Sequence, residues 1–282
     1  GGVESNRFKN ERDMNVNFPD TPARANIIEL KNIGQSYDGG NNWIIKGLNM
    51  LIEDKPDQGQ FIVLLGMSGS GKSTLLRYIA GLQEPTEGEV LIKGKPVSDK
   101  QRVSMVFQQY SSLPWMTVLD NVALALQYKG VNKKERYAQA MELIELVGLA
   151  GHEKKYAQYP ALSGGQLQRV AIARSIIANP EIILMDEPFG ALDIKTRIQM
   201  QELLVNLWHR FSSTIIFVTH DISEAVYLAD DIYIMKTPPS LIVEHIDIDL
   251  PLRRDYSTKR DKHFTELVHH VEDTMIRIAE GK

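Results

Sequence analysis

The chain of 282 residues carries 32 Lys and Arg against 36 Asp and Glu, a net charge of −4, with 43% hydrophobic and 24% charged residues. These values suit a chain that buries a sizeable core, and they exclude general disorder and a strongly basic nucleic-acid coat. The absence of cysteine excludes disulfide frameworks, thiol nucleophiles and iron–sulfur ligation, and the apolar runs 61–65 and 182–185 fall far short of the roughly 20 residues of a spanning helix.

Residues 1–24 are polar, contain Pro19 and Pro22 and lack apolar periodicity, which predicts a flexible arm without chemistry. No segment there combines a positive flank, an apolar core and a small-residue cleavage site, so a secreted product is not expected. Short β-like runs follow at 27–33, 43–52, 61–65, 89–93 and 103–107, with Gly39-Gly40-Asn41-Asn42 as a turn between the first two. Apolar residues at helical spacing predict a helix over 133–147. A second helix over 166–178 is closed by Asn179-Pro180, because the residue before a proline is pushed out of the α region. Beyond it the text alternates: strand 182–185, helix 194–211, strand 214–219, helix 223–228 and strand 232–235. Such alternation implies a mostly parallel sheet. Asp221 and Glu224 have the spacing of a capping box. After Pro238-Pro239 a polar, Arg-containing stretch leads to an amphipathic helix over 259–278, whose stripe of Phe264, Leu267, Val268, Val271, Met275 and Ile278 is expected to lie on the domain.

Gly66-Met67-Ser68-Gly69-Ser70-Gly71-Lys72-Ser73-Thr74 stands between an apolar strand and a helix-like run, the context of a phosphate-binding loop. Glycines let successive N–H groups turn inward on phosphate oxygens, the helix adds its positive end, Lys72 adds a point charge, and the Ser73 hydroxyl can reach Mg²⁺. A dinucleotide-binding turn is disfavoured, since Thr74 stands where that fingerprint needs its last small residue. The strand 182–185 ends in Asp186 and Glu187. With a phosphate loop upstream, Asp186 becomes a carboxylate for Mg²⁺ and Glu187 a base for an attacking water. Leu162-Ser163-Gly164-Gly165-Gln166 opens a helix and forms a second anion cradle of free N–H groups and a Ser hydroxyl. Two cradles with one set of carboxylates fit a single nucleotide if two copies meet face to face.

At these residues the sequence resembles the ATP-binding cassette ATPases over residues 27–236. The resemblance implies an α/β P-loop NTPase fold: a mostly parallel sheet core, an amino-terminal antiparallel β subdomain and an inserted helical subdomain. Its expected boundaries are 25–240 for the nucleotide-binding domain, about 109–178 for the helical insertion and 241–282 for a carboxy-terminal extension. It further implies that the Ser163–Gln166 signature of one subunit closes over the γ-phosphate held by its partner. Gln108 then matches the loop glutamine at Mg²⁺ and the attacking water, Asp193 the aspartate that communicates across the dimer, His220 the switch histidine at the γ-phosphate, and Tyr37 the aromatic under adenine. Three departures stand out: a short insertion at 54–58, Met67 in place of a frequent proline and Gly190 in place of a frequent serine.

The text Leu113-Pro114-Trp115-Met116-Thr117-Val118, continued by Asn121-Val122, resembles the ATPase subunits of importers for nitrate, sulfonate, taurine and bicarbonate, in which this region receives the membrane subunit. The implied partners are a second copy or similar cassette, transmembrane permease subunits and, indirectly, a substrate-binding protein, with ATP and Mg²⁺ bound, no nucleic acid, and a place at the cytoplasmic face of the inner membrane. The alternatives are a cassette ATPase that energises another membrane complex, a soluble cassette ATPase acting on nucleic acid or an assembly scaffold, and a nucleotide-binding module without turnover.

Overall fold

The computed structural model describes residues 8–10, 26–55, 59–67, 69, 71–97, 103–108, 111–208, 210–211 and 213–281. Its strands are β1 Phe8–Asn10, β2 Asn26–Gln35, β3 Ile45–Glu53, β4 Gln60–Leu65, β5 Glu87–Ile92, β6 Lys95–Pro96, β7 Val103–Phe107, β8 Ile182–Asp186, β9 Thr214–Thr219, β10 Asp231–Lys236 and β11 Leu241–Asp247. Its helices are α1 Lys72–Ile79, α2 Val118–Tyr128, α3 Lys133–Leu146, α4 Gly164–Ile177, α5 Ile194–Trp208, α6 Ile222–Leu228 and α7 Lys262–Ala279, with a 3₁₀ turn at Tyr256–Arg260.

A seven-stranded sheet runs in the order β1-β11-β10-β4-β9-β8-β7, and a four-stranded antiparallel sheet in the order β3-β2-β5-β6. From β10 to β7 every pairing in the large sheet is parallel, and β11 and β1 close one edge in antiparallel fashion. The strands of the parallel part read as unbroken apolar runs because both faces are covered. Ile62, Leu64, Leu184, Ile216 and Val218 face the small sheet and α1, where they meet Ile28, Leu30, Leu48, Met50 and Leu75. Phe61, Val63, Ile183, Met185, Ile215 and Phe217 face the other way, into a core with Val170, Leu204, Trp208 and Val226 of the helices. Phe61 centres that second core, 6.2 Å edge-on to Trp208 and 5.8 Å from Phe217.

The expected fold class holds, and four local expectations need correction. First, α2 was not foreseen: the stretch read as a docking edge enters a helix at Val118, capped by Thr117, whose hydroxyl accepts from the Asp120 N–H at 3.1 Å. Trp115 is 70% exposed, but Val118 and Val122 are core. Buried Asn121 pins the preceding turn, accepting from the Leu113 N–H at 2.8 Å and donating to the Leu113 carbonyl at 3.0 Å. Second, residues 241–247, read as polar, form β11, so the sheet runs past the expected boundary at 240. Glu244 and His245 obscured its alternation, and both are paired inside the fold, with Arg277 at 3.8 Å and Asp231 at 2.8 Å. Third, within the expected arm Phe8–Asn10 pairs with β11; the rest of 1–24 lies outside the described residues. Fourth, Asp221 caps α6 through the Glu224 N–H at 2.9 Å, yet the Glu224 carboxylate turns inward instead of completing a box.

Arg254 fixes the extension beyond β11. Its side chain is buried and donates to the carbonyls of Tyr227 at 2.7 Å, Ala229 at 3.0 Å and Pro251 at 2.8 Å, with Asp230 at 3.8 Å. Helix α7 then returns with Phe264, Leu267 and Val271 buried, as its stripe predicts.

Two predictions follow from this end of the sheet. Arg254→Met strands three carbonyls and removes the cation beside Asp230, and chemical denaturation is expected to show a loss of about 3–5 kcal/mol. Burial acts to raise the Asp231 carboxyl, but its contacts with His245 and Asp247 and the Lys55 ammonium outweigh burial and hold it below the ordinary carboxylate range. A depressed folded value stabilises the protein above the unfolded one and ceases to do so as pH falls through the folded one. The stability gap between the parent and Asp231→Asn is therefore expected to be full at pH 7 and to close below about pH 4, as read by denaturation at a series of pH values.

Candidate nucleotide site

The parallel strands present their carboxyl ends at one edge, the place where open α/β sheets build sites. Main-chain register aligns them: Leu65 lies opposite Thr219, Val218 opposite Asp186, and Asp186 opposite Phe107. The residues that come next, Gly66, His220, Glu187 and Gln108, therefore emerge side by side.

After β4 the chain turns through Gly69 (φ 81°) and Gly71 (φ 90°) into α1. A Cβ on Gly71 would stand 2.9 Å from the Ser240 hydroxyl, so the loop is curled and closely backed at that point. Lys72 is buried and donates to the Gly66 carbonyl, and its ammonium lies 4.0 Å from Glu187 Oε1. Burial lowers the Lys72 pKa against the opposing pull of Glu187 and Asp186. Ser73 Oγ donates to Asp186 Oδ1 at 3.1 Å. Burial raises the Asp186 carboxyl despite that hydrogen bond, with Glu187 adding to the rise. A hydroxyl and carboxylate oxygens gathered in this way form a hard-oxygen donor set of the kind that suits Mg²⁺.

Glu187 takes a left-handed backbone, φ 45°, unusual for a residue with a side chain, with its N–H tied to the Val218 carbonyl at 3.0 Å. Its Oε1 lies 2.9 Å from His220 Nδ1. His220 is itself placed by a buried lattice just behind it. Thr219 Oγ1 donates to Glu224 Oε1 at 2.8 Å and accepts from the Asp221 N–H at 3.1 Å, while Arg197 at 2.8 Å and Gln201 at 2.6 Å hold the other Glu224 oxygen. One linked group thus contains Gly66, Lys72, Ser73, Asp186, Glu187 and His220.

The other predicted residues fall into separate places. Gln108 is exposed, and its amide nitrogen lies 3.0 Å from where a Cβ on Gly190 would stand. A serine at position 190 would make the exposed Gln108 amide shift by a few tenths of an ångström. Tyr37, 67% exposed, accepts from Gln83 Nε2 at 3.0 Å, and Gln83 accepts from Arg77, which donates to Thr74 Oγ1 at 2.9 Å. A polar chain thus connects Tyr37 to the helix of the phosphate loop, while the insertion that follows Glu53 lies at the other end of the β2–β3 pair. Asp193 is exposed, and its carbonyl accepts from the Arg197 N–H at 2.9 Å in the first turn of α5. Ser68 and Ser70 lie outside the described residues, as do 56–58 of the insertion.

Ser163 caps α4 in a capping box: its hydroxyl accepts from the Gln166 N–H at 3.2 Å, and Gln166 Oε1 accepts from the Ser163 N–H at 2.9 Å. Gly164 opens the helix, and a Cβ on Gly165 would stand 2.5 Å from the Thr196 methyl of α5, so only glycine fits there. Among the described residues no hydrogen bond or ion pair joins 163–166 to the phosphate loop of the same chain. Sequence reasoning missed the Thr219–Glu224–Arg197 lattice, the left-handed Glu187 and Gln168, because each depends on contacts far along the chain.

Comparison with known proteins agrees with this geometry. The ABC transporter family matches residues 52–190. The chain is 42% identical over 249 residues to the nitrate import ATP-binding protein NrtD of Synechocystis, covering 84% of this chain and 90% of that one. It is 41% identical over 251 residues to the taurine import ATP-binding protein TauB of Pseudomonas savastanoi pv. phaseolicola, covering 87% and 94%. Among solved structures it is similar to the dimeric ATP-binding cassette MJ0796 in a post-hydrolysis state bound to ADP and Pi, with a TM-score of 0.66, 34% identity and coverage of 80% of this chain and 100% of that one. The chain belongs to the ATP-binding cassette transporter family, and it is an ATP-binding subunit with ATPase activity.

Proposed function

We propose that two copies of this chain, or one copy and a similar cassette, sandwich two ATP molecules and drive a separate permease that imports a small anionic solute such as nitrate, a sulfonate, taurine or bicarbonate. The observation that carries the catalytic part is the contact of Glu187 Oε1 with both His220 Nδ1, at 2.9 Å, and the Lys72 ammonium, at 4.0 Å, beside Ser73 and Asp186. The names of the nitrate and taurine relatives support the importer reading. No helix among the described residues is long and apolar enough to cross a membrane, which fits a peripheral subunit at the cytoplasmic face whose transporting part is another polypeptide. A substrate-binding protein would then act on the permease and never touch this chain, and no nucleic-acid partner is proposed.

In this reading the main-chain amides of the phosphate loop and the Lys72 ammonium neutralise the phosphates, while Tyr37 stacks under adenine. Ser73, Asp186 and Gln108 would hold Mg²⁺, which supplies charge neutralisation at the phosphates. Glu187 orients the attacking water and takes its proton at the carboxylate. His220 fixes that carboxylate by the Nδ1 contact and steadies the γ-phosphate. Ser163, Gly164, Gly165 and Gln166 close the site from the partner, with Asp193 at the same interface, because the cradle of one chain stands apart from its own phosphate loop. Closure with ATP and opening after hydrolysis is the stroke passed to the permease.

Glu187→Gln tests this assignment. Turnover is expected to fall about 10²–10⁴-fold with ATP affinity kept, and the variant should form a dimer on adding ATP in analytical ultracentrifugation. Parental turnover would remove the base assignment, and a strict monomer with ATP would remove the shared site.

A further inference from the structure

The signature helix α4 carries one buried polar side chain that the reaction described above leaves without a task. Gln168 is 1% exposed, two residues beyond Gln166. Its Nε2 donates to two main-chain carbonyls from two different loops: Phe107 at 3.0 Å and Pro188. Phe107 is the residue before Gln108, and Pro188 the residue after Glu187. Among the described residues its Oε1 has no hydrogen-bond partner. A buried acceptor left without a partner costs about 1–3 kcal/mol, so this amide sets two bonds to loop carbonyls against one unmet oxygen. The amide orientation follows from the two carbonyls, since the reverse would set Oε1 against both oxygens.

We propose that Gln168 is a positioning residue for ATP hydrolysis: its two N–H bonds clamp the loops that carry Gln108 and Glu187 to the helix whose first turn is the Ser163–Gln166 cradle. The two loops also run close together, the Gln108 amide lying 3.0 Å from where a Cβ on Gly190 would stand. Helix, water-side glutamine and base thereby form one closed triangle, and a nucleotide seated against the cradle by the partner is two residues from the clamp. Only an uncharged side chain of this length with two donors fits. Asparagine is one methylene short, glutamate brings oxygens to carbonyl oxygens, and lysine or arginine would bury a charge. The proposal rests on the ATPase reading and assigns it a further residue. Among the described residues Gln168 bonds to the carbonyls of Phe107 and Pro188 and not to Lys72, so the clamp is expected to govern turnover more than nucleotide binding.

Steady-state ATP hydrolysis and binding of a fluorescent ATP analogue, measured on the full chain, test this with Gln168→Met, which keeps the volume and removes both donors. The expected result is a fall in kcat of about tenfold or more with KM and analogue affinity within about twofold, with a lowered thermal unfolding temperature, since two carbonyls lose their donor, but a folded chain at the assay temperature. Gln168→Asn, which keeps the amide but draws it back, should show the same split to a smaller degree. Unchanged kcat in both variants overturns the proposal. So does a parallel loss of kcat and affinity, or failure of both to fold, either of which makes Gln168 a core residue only. Turnover of the parent chain, measured alongside, tests the ATPase reading separately.

Discussion

The arrangement of this protein depends on the main-chain ladder of its parallel strands. Because Leu65 stands opposite Thr219 on β4 and β9, while Val218, Asp186 and Phe107 stand opposite one another across β9, β8 and β7, the strands end within one residue of the same level and the residue after each emerges at the same edge of the sheet. Four loops far apart in sequence thus deliver phosphate cradle, histidine, base and glutamine to one place. The ladder is held by apolar burial on both faces, so a slip of one residue would expose core side chains as well as scatter the site. Fold stability and site geometry are here the same constraint.

Much of this was legible in the sequence, because the informative features are local. The phosphate loop shows its glycines in order, β4 and β8 show unbroken apolar runs, and the signature shows the Gly-rich turn at a helix start that the structure contains. The antiparallel edge was not legible: β11 carries Glu244 and His245 among its core residues, and their partners Arg277 and Asp231 come from other elements. Helix α2 was hidden by the exposed Trp115 just before it, which drew attention to surface rather than to the Val118–Val122 core stripe. Within the site the residue types were readable and their conformations were not. Nothing in Asp186-Glu187 announces the left-handed backbone at φ 45° that brings the glutamate against His220.

The electrostatics of the site are unbalanced in a way that fits an anionic nucleotide. Lys72 is buried and its charge disfavoured by that burial, while Asp186 is pushed toward its neutral form by burial and by Glu187. Phosphate oxygens beside the one and a cation beside the other would relieve both costs, so binding supplies what the folded chain alone withholds. Behind them the Thr219–Glu224–Arg197 lattice is satisfied within the chain and provides a rigid backing. Pre-organised polar groups against such a wall are the usual source of catalytic stabilisation.

The central claim is that each nucleotide is enclosed by residues of two chains, since among the described residues no hydrogen bond or ion pair joins the Ser163 cradle to the Lys72 loop within one. Mixing two separately purified variants, Lys72→Ala and Ser163→Arg, and measuring ATP turnover of the mixture tests it most directly. In a mixed dimer one site carries both defects and the other carries neither. The account predicts that turnover of the mixture rises well above that of either variant alone; turnover equal to the average of the two would contradict it.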